Sequence, residues 1–205
     1  MERANGGRKT GMSDIALQKA AQSGTGADIV GALGRRSIVL VGMMGAGKSS
    51  IGRRLAARLA IPFVDADTEI ETAAGMSIPE IFAKHGEPYF RAGEARVIAR
   101  LLEGGPQVLA TGGGAIMDAN SRALIAAKGV SVWLKADVDV LLRRTRRRGD
   151  RPLSSHIATL LPQREPYYAQ SDIIVQSRDE PHEGIVDELV TSLCAKLAVA
   201  ERHAP

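Results

Sequence analysis

The stretch SIVLVGMMGAGKSS, residues 37–50, limits what this chain can fold into more than any other. The apolar run SIVLV (Ser37–Val41) passes directly into Gly42, Gly47, Lys48 and Ser49, spaced G-x-x-x-x-G-K-[ST]. A buried strand, a glycine loop and a helix in that order make a phosphate-binding loop. The loop residues Gly45, Ala46 and Gly47 turn backbone N–H groups toward phosphate oxygens. The helix that follows directs its positive dipole end at the same place. Lys48 is placed to reach the β- and γ-phosphates and Ser49 to ligate Mg²⁺, with Ser50 beside it. From average residue usage, such a spacing arises by chance on the order of 1% of the time in a chain of this length. Nucleotide binding follows, and with no Asn-Lys-x-Asp guanine-reading signal a small kinase fits better than a GTPase.

The rest of the chain continues the alternation that this unit begins. Ile51, Leu55 and Leu59 recur every four residues, with Arg53, Arg54 and Arg58 on the opposite face, which predicts an amphipathic helix. IPFVDAD (Ile61–Asp67) predicts a second strand, QVLAT (Gln107–Thr111) a third, VSVWL (Val130–Leu134) a fourth and DIIVQ (Asp172–Gln176) a fifth. Helical spacing fills the gaps: Val97 to Leu102, a helix after Asp137, and a last one after Pro181. Short apolar strands alternating with helices predict an α/β fold, three layers deep, around a parallel sheet covered on both faces. Such sheets bind ligands beyond the carboxyl ends of their strands. Gly42, the pair Asp65 and Asp67, and the run Gly112–Gly113–Gly114 all fall on that one edge.

Composition narrows the function. The 205 residues suit one domain, and a formal charge of +4 suits a protein that handles phosphates or acidic metabolites. Aromatic residues make up only 3%, too few for the stacking surfaces of a single-strand nucleic-acid binder. One cysteine, Cys194, cannot form a disulfide within the chain, which argues for a reducing, cytoplasmic setting. No apolar run approaches the ~20 residues of a membrane span. Residues 1–36 are rich in Gly, Ala and polar residues, and are expected to form a loosely ordered extension with a short helix over Ser13–Gln22. The folded domain is expected over 37–200.

Three features carry the remaining chemistry. On a strand, Asp65 and Asp67 would share a face. Paired carboxylates repel unless a cation or hydroxyl donors lie between them. Asp65 is therefore assigned to Mg²⁺ and Asp67 to an acceptor hydroxyl, whose proton it can take; a cap on the next helix is the plainer alternative for Asp67. Arg91 and Glu94 lie three apart, which on a helix lets the carboxylate hold the guanidinium. Three consecutive glycines imply an odd turn or a very close approach to the backbone.

GMMGAGKSS, FVDADTEIE, SIPEIFAKHGEPYFR, LATGGGA, DRPL and QREPYY occur in the order found in shikimate kinases, and the chain resembles that family from Ser37 to the last helix. The resemblance implies a five-stranded, nucleoside-monophosphate-kinase-like domain that transfers a phosphoryl group from MgATP to the 3-hydroxyl of shikimate. It implies Asp67 as the base, Arg91 and Arg164 as the grip on the carboxylate, and Gly112, Gly113 and Gly114 as pocket lining. It implies Arg151 as the arginine of a lid over about 148–162, acting with Lys48 on the transferring phosphate, and Arg144 and Pro181 around adenine. It also implies a monomer. The segment RPLSSHIATLLPQR is shorter than the family's lid, and Pro162 is expected to interrupt the helix that delivers Arg164. An impaired or atypical lid is the expectation. Gluconate or a nucleoside monophosphate is the rival acceptor, and a non-catalytic nucleotide-binding relic the rival class.

Overall fold

A computed structural model describes residues 25–146, 156–179 and 181–198. The proposed helix over Ser13–Gln22, Arg151 and most of the expected lid lie outside the described residues.

Five strands form one sheet: β1 (Ser37–Val41), β2 (Phe63–Asp65), β3 (Val108–Ala110), β4 (Gly129–Lys135) and β5 (Ile173–Gln176). Their order is β2-β3-β1-β4-β5 and every pairing is parallel. All five residues of β1 are buried, as the continuous apolar run requires of a central strand covered on both faces. Leu40 registers with Ala110 on one side and Val132 on the other. The chain leaves β1 for one half of the sheet and returns to the other half at β4. The carboxyl edge beside β1 is therefore the crevice where such sheets take ligands.

Helices cover both faces: α1 (25–33), α2 (Lys48–Leu59), α3 (Ala66–Ala74), α4 (Ile78–Leu101), α5 (Ala119–Lys128), α6 (Val138–Arg146), α7 (Ile157–Tyr168) and α8 (His182–Lys196). Ile51, Leu55 and Leu59 bury against the sheet as their spacing predicts. Arg54 and Arg58, on the other face of α2, pair with Glu183 and Asp187 of α8. Cys194 packs at the edge of the main core. No helix among the described residues is long and apolar enough to cross a membrane.

Three expectations are corrected. The ordered domain begins before residue 37, because α1 buries Ile29 and Leu33 completely or nearly so in the main core. The strand β2 stops at Asp65, so Asp67 stands in the first turn of α3 and not on the strand. Asp65 is the cap: its Oδ1 accepts the Asp67 N–H at 3.2 Å. Pro162 does not interrupt α7, which runs through both Pro162 and Pro166. Burial of Ile157, Arg164 and Tyr168 holds the helix in place across both prolines.

The helix α4 is made of two pieces. Ser77 and Glu80 form a capping box at its start. Gly86, at φ 80° and ψ 171°, breaks the helical path, and the second piece resumes just before Pro88. That bend aims Arg91 and Glu94 at the carboxyl edge of the sheet.

Candidate active site

Two cavities open on that edge. The first, about 340 Å³, is lined by Gly45, Gly47, Lys48, Ser49 and Ser50 of the loop and α2, and by Arg144, Asp179 and His182 at its far end. The second, about 400 Å³, is lined by Arg91, Glu94, Gly112, Gly113, Gly114 and Arg164, with Phe82 and Phe90 as an apolar wall. Asp67 lines both.

The loop between β1 and α2 is bent for anion binding. Gly45 and Gly47 have φ of 84° and 93°, in the left-handed region that favours glycine. Lys48 Nζ donates to the carbonyls of Gly42 at 2.7 Å and Met43 at 3.0 Å, so the ammonium lies over the loop. Ala46 is buried, and its carbonyl accepts from Ser177 Oγ at 2.8 Å. Ser49 Oγ donates to Asp65 Oδ2 at 2.6 Å. A hydroxyl and a carboxylate in contact beside a phosphate cradle are hard oxygen donors that fit Mg²⁺, an ion that takes few protein ligands and completes its shell with phosphate and water. No cluster of three or more Asp, Glu, His or Cys among the described residues offers a metal site made of protein alone.

Arg144 crosses from α6 to the same cavity, donating to Ser177 Oγ at 3.0 Å, to the Gly45 carbonyl at 3.3 Å and to the Arg178 carbonyl at 2.6 Å. Pro181 caps α8 between Asp179 and His182, which reach the cavity from either side of it. Burial, then the Arg54 and Arg144 guanidiniums, hold the His182 imidazole below its ordinary 6.5.

The second cavity is built around two guanidiniums. Arg91 Nη1 donates to Glu94 Oε2 at 2.6 Å, as the three-residue spacing predicts, and its Nε and Nη2 reach Glu87 Oε1 at 3.2 and 3.0 Å. Arg164 is buried, and no carboxylate among the described residues lies within ion-pair distance of it. Its Nη1 faces the Met43 thioether at 3.9 Å. A buried guanidinium whose described partners, the Met43 thioether and the Tyr168 hydroxyl, are both neutral is suited to an anion from outside. Arg91 and Arg164, distant in sequence, thus face one cavity.

The three glycines are explained by proximity, not by dihedral angle, for none has a left-handed φ. A Cβ on Gly112 would collide with Glu94 Oε1 and stand 3.0 Å from Asp67 Oδ1. One on Gly113 would stand 3.3 Å from Arg164 Nη1, and one on Gly114 2.5 Å from Arg91 Nη1. Each glycine therefore makes room for one part of the charged cluster.

Sequence reasoning missed Tyr168. It is fully buried, stacks on Trp133 at 5.8 Å and donates its hydroxyl to the Gly113 carbonyl at 2.5 Å, fixing the glycine run against α7. Burial pushes its phenol up to about 12, against the opposing charge of Arg164. The signal was available: Tyr168 follows Arg164 by four residues, on one face of α7. Phe82 and Phe90, the apolar wall, were also missed, because nothing in their spacing sets them apart from core residues.

Residues 44–194 match the family model described as shikimate kinase. A shikimate kinase of Bradyrhizobium diazoefficiens is 61% identical over 200 residues, covering 95% of this chain and 96% of that protein. One from Nitrobacter winogradskyi is 62% identical over 179 residues, covering 84% of each. Among solved structures, a shikimate kinase from Acinetobacter baumannii in complex with shikimate matches with a TM-score of 0.76 at 36% identity, over 78% of this chain and 94% of that one. A gluconokinase from Sinorhizobium meliloti, at 24% identity and a TM-score of 0.53, shares the fold alone.

Proposed function

The chain belongs to the shikimate kinase family, and from that premise we propose how its two cavities divide the transfer of the ATP γ-phosphoryl group to the 3-hydroxyl of shikimate. ATP occupies the cavity of Gly45, Gly47, Lys48, Ser49 and Ser50, with its base toward Arg144 and Pro181. Shikimate occupies the cavity of Arg91 and Arg164, its carboxylate on the two guanidinium forks, which suit planar anions. The observation that carries this reading is Asp67, the one carboxylate among the described residues that lines both cavities.

From there Asp67 accepts the hydrogen bond of the acceptor hydroxyl, orients its oxygen toward the phosphate and takes its proton as the new bond forms. Lys48 stabilises charge on the transferring phosphoryl group from the loop side. Arg151 is assigned the same task from the lid. Ser49 and Asp65 would hold Mg²⁺, which would supply charge to offset that of the phosphates. The phenyl faces of Phe82 and Phe90 exclude water beside the ring. A monomer acting on small molecules in the cytoplasm is the form assigned to it.

The test is ADP release with MgATP, using shikimate, gluconate and AMP as separate acceptors beside a blank without acceptor. Shikimate-dependent release, lost in Asp67→Asn and Arg91→Ala, is the expected result. Release that responds only to gluconate or AMP would overturn the acceptor. ATP binding without release under any acceptor would favour the relic.

A further inference from the structure

Glu94 has no part in the reaction as described, yet it is the most deeply buried carboxylate of the site, its side chain 3% exposed. One oxygen, Oε2, is bound by Arg91. The other, Oε1, has no hydrogen-bond donor among the described residues. It lies against the Gly112 backbone, on the side where Asp67 Oδ1 also approaches. The groups facing it are few: Arg91 and, beyond it, half-exposed Glu87 on its own helix; Asp67 on α3, with Glu71 farther along the cavity wall; Arg164 and the Tyr168 hydroxyl on α7.

Around the acceptor cavity two guanidiniums, buried Arg164 and partly exposed Arg91, face two carboxylates, buried Glu94 and half-buried Asp67, with Lys48 on the nucleotide side of Asp67. An acceptor carboxylate arriving on the two arginines adds an anion to this cluster and competes with Glu94 for Arg91. Buried like charges raise one another's proton affinity, and the cheapest relief is one proton on the anion that lacks a donor. We infer that the site takes up a proton as the acceptor's carboxylate binds, and that Glu94 Oε1 receives it. The direction agrees with the free protein, where burial first, and then Asp67, push the Glu94 carboxyl above its ordinary 4.5 against the pull of Arg91 and Arg164. Neutral Glu94 leaves Asp67 as the ionised carboxylate beside the acceptor hydroxyl, which the transfer requires. The inference rests on the assignment of shikimate to this cavity.

Isothermal calorimetry of shikimate binding to the full chain near pH 7, in buffers of different ionisation enthalpy, reads the proton count. Uptake approaching about one proton is expected, with a Kd that weakens by up to about tenfold per unit as pH rises between the free and bound values of Glu94. Glu94→Gln, which keeps the shape of the neutral acid, should bind with no uptake and a flat pH profile. A shikimate carboxamide, which brings no charge, should bind the unaltered protein without uptake, so the test stands even if the variant fails to fold. A binding enthalpy independent of buffer, or uptake that persists in Glu94→Gln, would overturn the inference. Absence of shikimate binding in equilibrium dialysis would instead overturn the acceptor assignment.

Discussion

Gly114→Ala separates stability from function in a way that few substitutions here would. The new Cβ would stand 2.5 Å from Arg91 Nη1 and 2.6 Å from Cζ and Nη2. Comfortable contact needs ~3.5 Å or more, so the guanidinium must retreat by about 1 Å. It sits at the end of a flexible side chain, 26% exposed, and can move without disturbing the backbone. The backbone of Gly114, at φ −99° and ψ −10°, accepts alanine without strain. Replacing glycine at such a position changes stability by up to about 1 kcal/mol in the favourable direction. A displacement of this size at a positioning group costs on the order of 10²-fold in rate, or ~2.7 kcal/mol of transition-state stabilisation. Urea denaturation should therefore show unchanged or raised stability, while kcat/KM for shikimate falls about 100-fold and ATP affinity stays as it was. Gly113→Ala, with 3.3 Å to Arg164 Nη1, should lose far less. Equal activity in the two variants, or loss of ATP binding in Gly114→Ala, would refute the reasoning that each glycine serves one guanidinium.

Other substitutions test other parts of the fold. In Gly52→Ala the Cβ would stand 2.6 Å from Phe63 Cε2 and 3.0 Å from Leu40 Cδ1 in the main core. Overpacking there should cost about 1–3 kcal/mol in urea denaturation, exceeding any helix-propensity gain. Tyr168→Phe removes the bond to Gly113. Because the folded phenol is raised from 10.0 to about 12, its contribution is intact below pH 10 and lost as pH rises toward 12. The variant should lack that alkaline slope in stability measured against pH. Ser49→Ala and Asp65→Asn should each raise the Mg²⁺ concentration needed for half-maximal turnover while leaving shikimate affinity unchanged; chelation with EDTA should stop turnover in the unaltered protein.

The phosphate cradle was legible because its chemistry is local: Gly42 to Ser49 contain both the bend and the groups it presents. The carboxyl edge was legible for a similar reason, since three strand ends point to it whatever their exact order. Asp67 was misplaced because alternation on a strand and the first turn of a helix both bring residues two apart near one another. Its neighbour Asp65 held the missing information, as a preferred helix cap directly before Ala66. The helix of Ile29 and Leu33 was overlooked because a polar, glycine-rich surround hides a stripe only two residues long. Spacing alone could not join Arg91 and Arg164; only the family resemblance did. Their meeting depends on the bend at Gly86 and on α7 surviving two prolines, and the latter rests on tertiary burial of Ile157, Arg164 and Tyr168 that no local pattern shows.

The apolar interior is divided. Ile70, Ile81, Phe90 and Val97 form a small cluster between α3 and α4, apart from the large one around the sheet, and half-buried Leu101 touches both. The nucleotide loop is anchored in the large cluster, whereas Phe90 and its neighbour Arg91 belong to the small one. Packed regions with separate interiors open with separate free energies. The Arg91 side of the acceptor grip should therefore open at a lower free energy than the nucleotide half, while Arg164, on α7, stays with the large cluster. On gradual denaturation, the hold of Arg91 on the acceptor should loosen before the hold on ATP does.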